Sequence, residues 1–400
     1  MSIFIIILLS WFGDRNSITV KDDTMIQGRP EAETSEDVEE YFIPDSESLA
    51  QSREKYCIQC LEILGEYVEV LGPVLHEKGV DVCLALLQRS SKHKEPSKIA
   101  ILLDIMKLIC ALAAHRKFAA LFVDRGGMQK LLAVPRVAQT FLGLSSCLFS
   151  IGSLQVMACQ NVRSDRLKLF FFSTSIFPFI SFLYYLFIGF SIPNKFFQGI
   201  MERVCALPSD IVHQVVELAI QLLECSQDQA RKNAALFFAA AFVFRAVLDA
   251  FDAQDGLQKL LILLNDAASV RSGVNTGALG LSSSGSFRND RSSAEVLTSS
   301  EKQIAYHTCV ALRQYFRAHL LLLVESIRPN KSNRIAARNI SSVRAAYKPL
   351  DISNEALDAV LLQLQKDRKL GPAFVRTRWP AVEKFLSSNG HITLLELCQV

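Results

Sequence analysis

Phe237–Leu264 reads FFAAAFVFRAVLDAFDAQDGLQKLLILL. An apolar helix breaks at an Asp-Gly step and resumes as a Leu-rich helix. Its second half recurs along the chain. Four segments align on a glycine: His76–Gln88 (HEKGVDVCLALLQ), Asp124–Val134 (DRGGMQKLLAV), Asp252–Leu264 (DAQDGLQKLLILL) and Ser388–Gln399 (SNGHITLLELCQ). Gly127, Gly256 and Gly390 are each followed, four and five residues on, by Leu-Leu. A unit that cannot bury its own apolar face, repeated in tandem, implies a helical solenoid. Glycine suits a left-handed turn between helices, with the leucines facing the next layer.

The spacing agrees. Gly79 and Gly127 are 48 residues apart, close to the armadillo/HEAT period of roughly 40–47. Gly127 to Gly256 is 129 and Gly256 to Gly390 is 134, so those gaps hold further repeats or loops. Ser209–Glu224 (SDIVHQVVELAIQLLE) is one missing repeat's helix without the glycine, with Ser209 or Asp210 as its expected cap. Ser353 is the expected cap of a helix over Ser353–Leu370, ended by Gly371-Pro372. Further breaks are expected at Gly72-Pro73 and at Gly79. Trp379-Pro380 opens the final Leu-rich pair.

The expected fold class is all-α: an armadillo/HEAT-like helical solenoid with a disordered N-terminal lead-in and long loops. The expected divisions are 1–51 (atypical N-terminus), 52–155 (repeats), 156–198 (aberrant hydrophobic insert), 199–265 (repeats), 266–300 (flexible Gly/Ser loop) and 301–400 (repeats, truncated). Asp14–Gln51 is polar and acidic and cannot bury enough apolar surface to fold alone. Ser2–Gly13 resembles a signal-peptide core but lacks a basic leader and a small-x-small cleavage site.

Leu154–Gly199 breaks every pattern. Leu169–Phe190 (LFFFSTSIFPFISFLYYLFIGF) has no charge over 22 residues, long enough for a transmembrane helix. Yet Val156–Gln198 holds ten Phe and one acidic residue, Asp165, the composition that T-rich DNA encodes. Its edges can be written as splice sites, and its 43 codons are in frame. Removing it brings Gly127 and Gly256 to 86 residues apart, twice 43. It reads as a retained intron. The alternative is a membrane-anchored helical protein using 169–190.

Net charge is +3 over 83 charged residues, so no global field argues for nucleic acid. Ten Cys scattered through apolar stretches fit small buried residues in a reducing compartment. Cys57-Ile-Gln-Cys60 has no second pair for zinc and no strand before it for redox work. The seven His (76, 93, 115, 213, 307, 319, 391) show no ligand spacing. Gly277–Gly285 is neither a phosphate loop nor a nucleophile elbow. Ser286–Ser293 places Arg near Ser, as a phosphorylation site would, and Asn339-Ile-Ser341 is a glycosylation sequon. No catalytic, cofactor-binding or metal residue is assigned. Arg313, Arg317 and His319 beside aromatic residues have the composition of an interaction surface, against the simpler reading of a solvated face with a buried Tyr-Phe pair.

RKNAALFFAAAFVFRAVLDAFDAQDGLQKLL, IAYHTCVALRQYFRAHL and REKYCIQCLEILGEYVEVLGPVLHEKGVDVCLALLQ closely resemble the Vpr-binding protein family, best in its plant branch. Its members are large substrate receptors of the cullin-4 RING ubiquitin ligase. The resemblance covers about Glu40–Leu154 and Gly199–Val400, that family's armadillo-like region. It implies a non-enzymatic, nuclear scaffold in protein ubiquitination that binds proteins, including ligase substrates. The family docks the ligase adaptor through Trp-Asp-x-Arg motifs of a WD40 propeller. Trp11 precedes Phe and Trp379 precedes Pro, so adaptor binding is carried over to no residue here.

Overall fold

The computed structural model describes residues 46–92, 96–152, 200–272, 299–328 and 349–398, and all regular structure in them is helical. The helices fall into five layers. The first is α1 (Ser46–Gly65), α2 (Val68–His76) and α3 (Gly79–Ser91). The second is α4 (Pro96–Ala113), α5 (Arg116–Asp124) and α6 (Gly127–Leu132). The third is α7 (Ala138–Gly152), α8 (Met201–Cys205) and α9 (Ser209–Leu223). The fourth is α10 (Asp228–Ala241), α11 (Arg245–Ala253) and α12 (Gly256–Ser272). The fifth opens with α13 (Ser299–Ile327), makes an excursion through α14 (Asn354–Lys366) and α15 (Leu370–Arg376), and closes with α16 (Pro380–Ser387) and α17 (Gly390–Cys398).

Two ladders run through the layers. The opening helices α1, α4, α7, α10 and α13 pack each on the next. So do the closing helices α3, α6, α9, α12 and α17. A single hydrophobic core runs between them, from Ile58 to Ala381. This is the armadillo-like solenoid that the glycine alignment predicts. Phe237–Leu264 spans α10–α12 and sits at the centre of the core. Phe238, Phe242, Phe251 and Tyr315 pack, mostly edge to face, at centroid distances of 4.8–5.7 Å. Each such ring pair adds about 0.5–1.5 kcal/mol beyond the area buried.

The aligned glycines do a different job from the one their sequence suggests. The left-handed residue is the one before each: Lys78 (φ 54°), Gly126 (φ 82°), Asp255 (φ 56°) and Asn389 (φ 58°). The glycine itself is needed for space. A Cβ there would collide with the side chain five residues earlier: Val74 at 2.5 Å for Gly79, Phe122 at 2.3 Å for Gly127, Phe251 at 2.2 Å for Gly256 and Phe385 at 2.4 Å for Gly390. The short helix thus ends with a large apolar side chain of its last turn tucked beneath the start of the next.

Several local expectations change. α1 begins at Ser46, ahead of Ser52, and α12 runs to Ser272, past Asp266. Gly72 and Pro73 lie inside α2, where buried Val70 and Val74 hold the helix through one missing amide bond. α9 starts after extended Pro208 with no side-chain cap; Asp210 lies in its first turn, favourable to the helix dipole. Gly371 and Pro372 begin α15 rather than end α14, and a first-turn proline gives up no helix bond. The Asp367 carboxylate accepts from the Lys369 and Leu370 amides at 2.8 and 3.0 Å and makes that turn. Ser353 caps α14 as expected, its Oγ accepting from the Ala356 amide at 3.3 Å. Trp379 stands before α16, whose first residue is Pro380.

Among the described residues α13 is the longest helix, and it overhangs the ladder. Its last turns form a small second core in which Val324, Val360 and Leu370 pack with Phe374. The apolar N-terminus, Val156–Gln198 with Leu169–Phe190, Gly277–Gly285, Ser286–Ser293 and Asn339 lie outside the described residues. Among the described residues no helix is long and apolar enough to cross a membrane.

Candidate protein-binding surface

One buried polar cluster ties the third layer to the fourth. Asn233 on α10 is buried; its Nδ2 donates to Ser145 and Ser146 Oγ on α7 at 3.3 and 3.2 Å, and its Oδ1 accepts from Gln229 at 3.0 Å. Along the rim of the closing helices, ion pairs bridge neighbouring layers. Arg125 reaches Asp81 at 2.6 Å, Arg136 reaches Glu217 at 3.1 Å, and Lys259 reaches Glu224 at 2.5 Å. Arg203 pairs with Asp124 and Lys384 with Asp255. Such exposed pairs contribute about 0–1 kcal/mol each, but they set which turn faces which.

The three residues singled out on α13 prove to be half-buried. Arg317 donates from Nη1 to the Ile352 carbonyl at 3.2 Å and from Nη2 to Asn354 Oδ1 at 2.7 Å. It pins the returning chain, as does the Leu350 amide, which donates to the Val243 carbonyl at 2.7 Å. Burial, then the neighbouring Arg313, pulls its guanidinium down to about 10. Burial also lowers Arg313. His319 lies with its ring 4.4 Å from that of Tyr315, and its Nε2 is 3.1 Å from Asp252 Oδ2. That nitrogen makes no hydrogen bond, and the contact is an ion pair only where the imidazole is protonated. Tyr315 Oη donates to Asp252 Oδ1 at 2.7 Å, joining α13 to the end of α11. Burial raises the Tyr315 hydroxyl, and the Asp252 charge raises it further.

The other sequence candidates are scattered. Burial, then Cys60, raises the Cys57 thiol, and Cys60 is exposed. His115 Nε2 donates to the Gly65 carbonyl at 2.7 Å, and His76 contacts Glu77 at 2.8 Å. His307 is largely buried, which together with Lys232 pushes it down to about 4. Among the described residues no three His, Cys, Asp or Glu side chains are grouped to hold a metal.

Sequence reasoning missed the exposed apolar side chains. Most lie on the two end layers, while Val137, Leu142 and Ile262 belong to the middle ones. Leu49, Tyr56 and Ile63 mark one stripe of α1, with Tyr67 and Val68 beside it. Leu361, Leu362, Val375, Leu386, Ile392 and Leu395 belong to α14–α17. Tyr56 is 63 % exposed and Ile63 69 %. The seven-residue spacing of Leu49, Tyr56 and Ile63 is a helical stripe that was open to notice in the sequence.

Residues 42–157 match a family described as the Mahjong helical domain, and residues 305–400 one described as the DCAF1 helical domain. The chain is 60 % identical over 384 residues to the DDB1- and CUL4-associated factor homolog 1 of Arabidopsis thaliana, covering 94 % of this chain and 17 % of that protein. It is 22 % identical to Protein mahjong of Drosophila melanogaster, over 89 % of this chain and 19 % of that one. A designed armadillo repeat protein has a TM-score of 0.30 at 10 % identity, over 68 % of this chain and 96 % of that one, too low to weigh beside the helix order. The chain thus spans less than a fifth of these relatives' length. The matches cover both ends of one continuous core, and the chain belongs to the DDB1- and CUL4-associated factor 1 family, the Vpr-binding protein family that its sequence resembles.

Proposed function

We propose that this chain is a non-catalytic, protein-binding scaffold of a cullin-4 RING ubiquitin ligase substrate receptor, working in the nucleus. One observation carries the reading: 60 % identity, over 94 % of the chain, to a plant protein whose name ties it to DDB1 and CUL4. The fold supports it. A five-layer solenoid presents an extended helical surface. Ubiquitin transfer falls to other subunits, and substrates are held by protein–protein contact.

The test is co-purification. A tagged full-length protein containing this region is expected to recover the cullin-4 adaptor from plant nuclear extract. Failure to recover it under conditions where the Arabidopsis relative does would overturn the assignment. We further propose that Val156–Gln198 is absent from the working protein. A transcript joining Gln155 directly to Gly199 is the expected product. Membrane recovery of the tagged chain would instead favour an anchor at Leu169–Phe190.

A further inference from the structure

α4 and α7 meet at two successive turns. Gly143 faces Met106, and a Cβ there would lie 2.5 Å from Met106 Cε and 2.9 Å from its Sδ. The glycine therefore lets the two backbones approach. One turn on in both helices, Cys110 Sγ and Cys147 Sγ are 3.5 Å apart. Cys147 is fully buried and its thiol also lies 3.5 Å from the Met106 carbonyl, while Cys110 is only partly covered. A disulfide needs sulfurs about 2.05 Å apart on closely spaced backbones. The remaining movement is about 1.5 Å, within the reach of side-chain torsions.

We propose that Cys110 and Cys147 are a peroxide-responsive thiol pair whose disulfide staples the second layer of the solenoid to the third. Hydrogen peroxide takes the Cys110 thiol, the one it can reach, to a sulfenic acid and leaves as water. The Cys147 sulfur then attacks the Cys110 sulfur and displaces its hydroxide. The Cys147 proton leaves with that hydroxide as a second water. Two thiols are oxidised to one disulfide, and one peroxide is reduced to two waters. The pair is not a structural disulfide. The hydrogen bond to Cys110, then burial, holds the Cys147 thiol protonated, so its attack on the Cys110 sulfenic acid is slow. Oxidation would fix the joint between layers immediately before the chain leaves α7 at Gly152.

The experiment treats the full chain with hydrogen peroxide, blocks residual thiols, digests without reductant and identifies cross-linked peptides by mass. The expected product is a Cys110–Cys147 cross-link that is reversed by dithiothreitol. In Cys147→Ala, Cys110 is expected to proceed to sulfinic acid instead. Gly143→Ala, which spreads the helices, is expected to lower the cross-link yield several-fold. The proposal is overturned if wild-type Cys110 reaches sulfinic acid as readily as in Cys147→Ala. It is equally overturned if Cys57–Cys60 cross-links while Cys110–Cys147 does not.

Discussion

The Phe251 ring occupies the space that a side chain on Gly256 would need: an added Cβ would lie 2.2 Å from its Cε2. Asp255, between them in the turn, carries the left-handed backbone, at φ 56°. Space and backbone freedom are thus assigned to adjacent residues. Gly256→Ala is expected to cost about 1–3 kcal/mol, the usual penalty for overpacking a dense core. Adding Phe251→Leu to it should return part of that loss, because the two share one volume. Gly126→Ala is the contrast. Its Cβ would meet nothing nearer than 3.6 Å, so only the φ of 82° opposes it, at about 1 kcal/mol. Denaturant midpoints of the variants measure all three. A fully tolerated Gly256→Ala would remove this account of the repeat.

His307 gives the acid limb of stability. Burial, then Lys232, lowers it to about 4 from its ordinary 6.5. The unfolded chain therefore takes up a proton at a pH where the native state does not. Stability from this site is complete above pH 6.5 and falls as pH drops toward 4, by no more than about 3 kcal/mol. His307→Gln should flatten that part of the profile. Urea midpoints measured between pH 7 and 4.5 check it; parallel wild-type and variant curves would contradict the assignment.

Tyr315 acts in the opposite direction. Its hydroxyl is raised by burial and by Asp252, to which it donates at 2.7 Å. The native state keeps this proton after the unfolded chain has lost it. The site's stability is full below about pH 10 and declines as pH rises above it. Tyr315→Phe should cost about 1 kcal/mol at neutral pH, since half-exposed Asp252 can be solvated instead. It should also weaken the alkaline decline. Melting temperatures at pH 7 and pH 10.5 separate the two effects.

How far these features were legible in the sequence differs by element. Gly127, Gly256 and Gly390, with their leucine pairs, were enough to read the solenoid, because a repeat imposes its spacing on the chain. The reason for the glycines was not legible. A left-handed Lys78 or Asn389 leaves no mark in composition, and the collision with Val74 or Phe385 appears only when the short helix is folded back. Gly72-Pro73 read as a break because the rule is local, whereas the burial of Val70 and Val74 is tertiary. Arg313, Arg317 and His319 were recognised as a cluster, but their partners could not be. Asp252 lies 63 residues from Tyr315 in sequence, and Ile352 lies 35 residues from Arg317.

The two ends of the undescribed stretch 153–199 meet. A Cβ on Gly152, the last residue of α7, would lie 2.8 Å from the Phe237 ring and 3.6 Å from the sulfur of Met201, the first residue of α8. Both flanks belong to the same continuous core, with Ile151 and Met201 each 2 % exposed. The two flanks therefore pack directly against the same core residues. Deleting Val156–Gln198 leaves Ser153-Leu154-Gln155 and Gly199 to close the connection. A shorter loop also costs less entropy to close, though only by about 0.6 kcal/mol per halving of length. The deletion variant should accordingly be monomeric, equally helical and at least as stable as the full chain. Circular dichroism and thermal melting test this. A variant that loses helix or melts several degrees lower would show that the stretch contributes packing that the core does not supply.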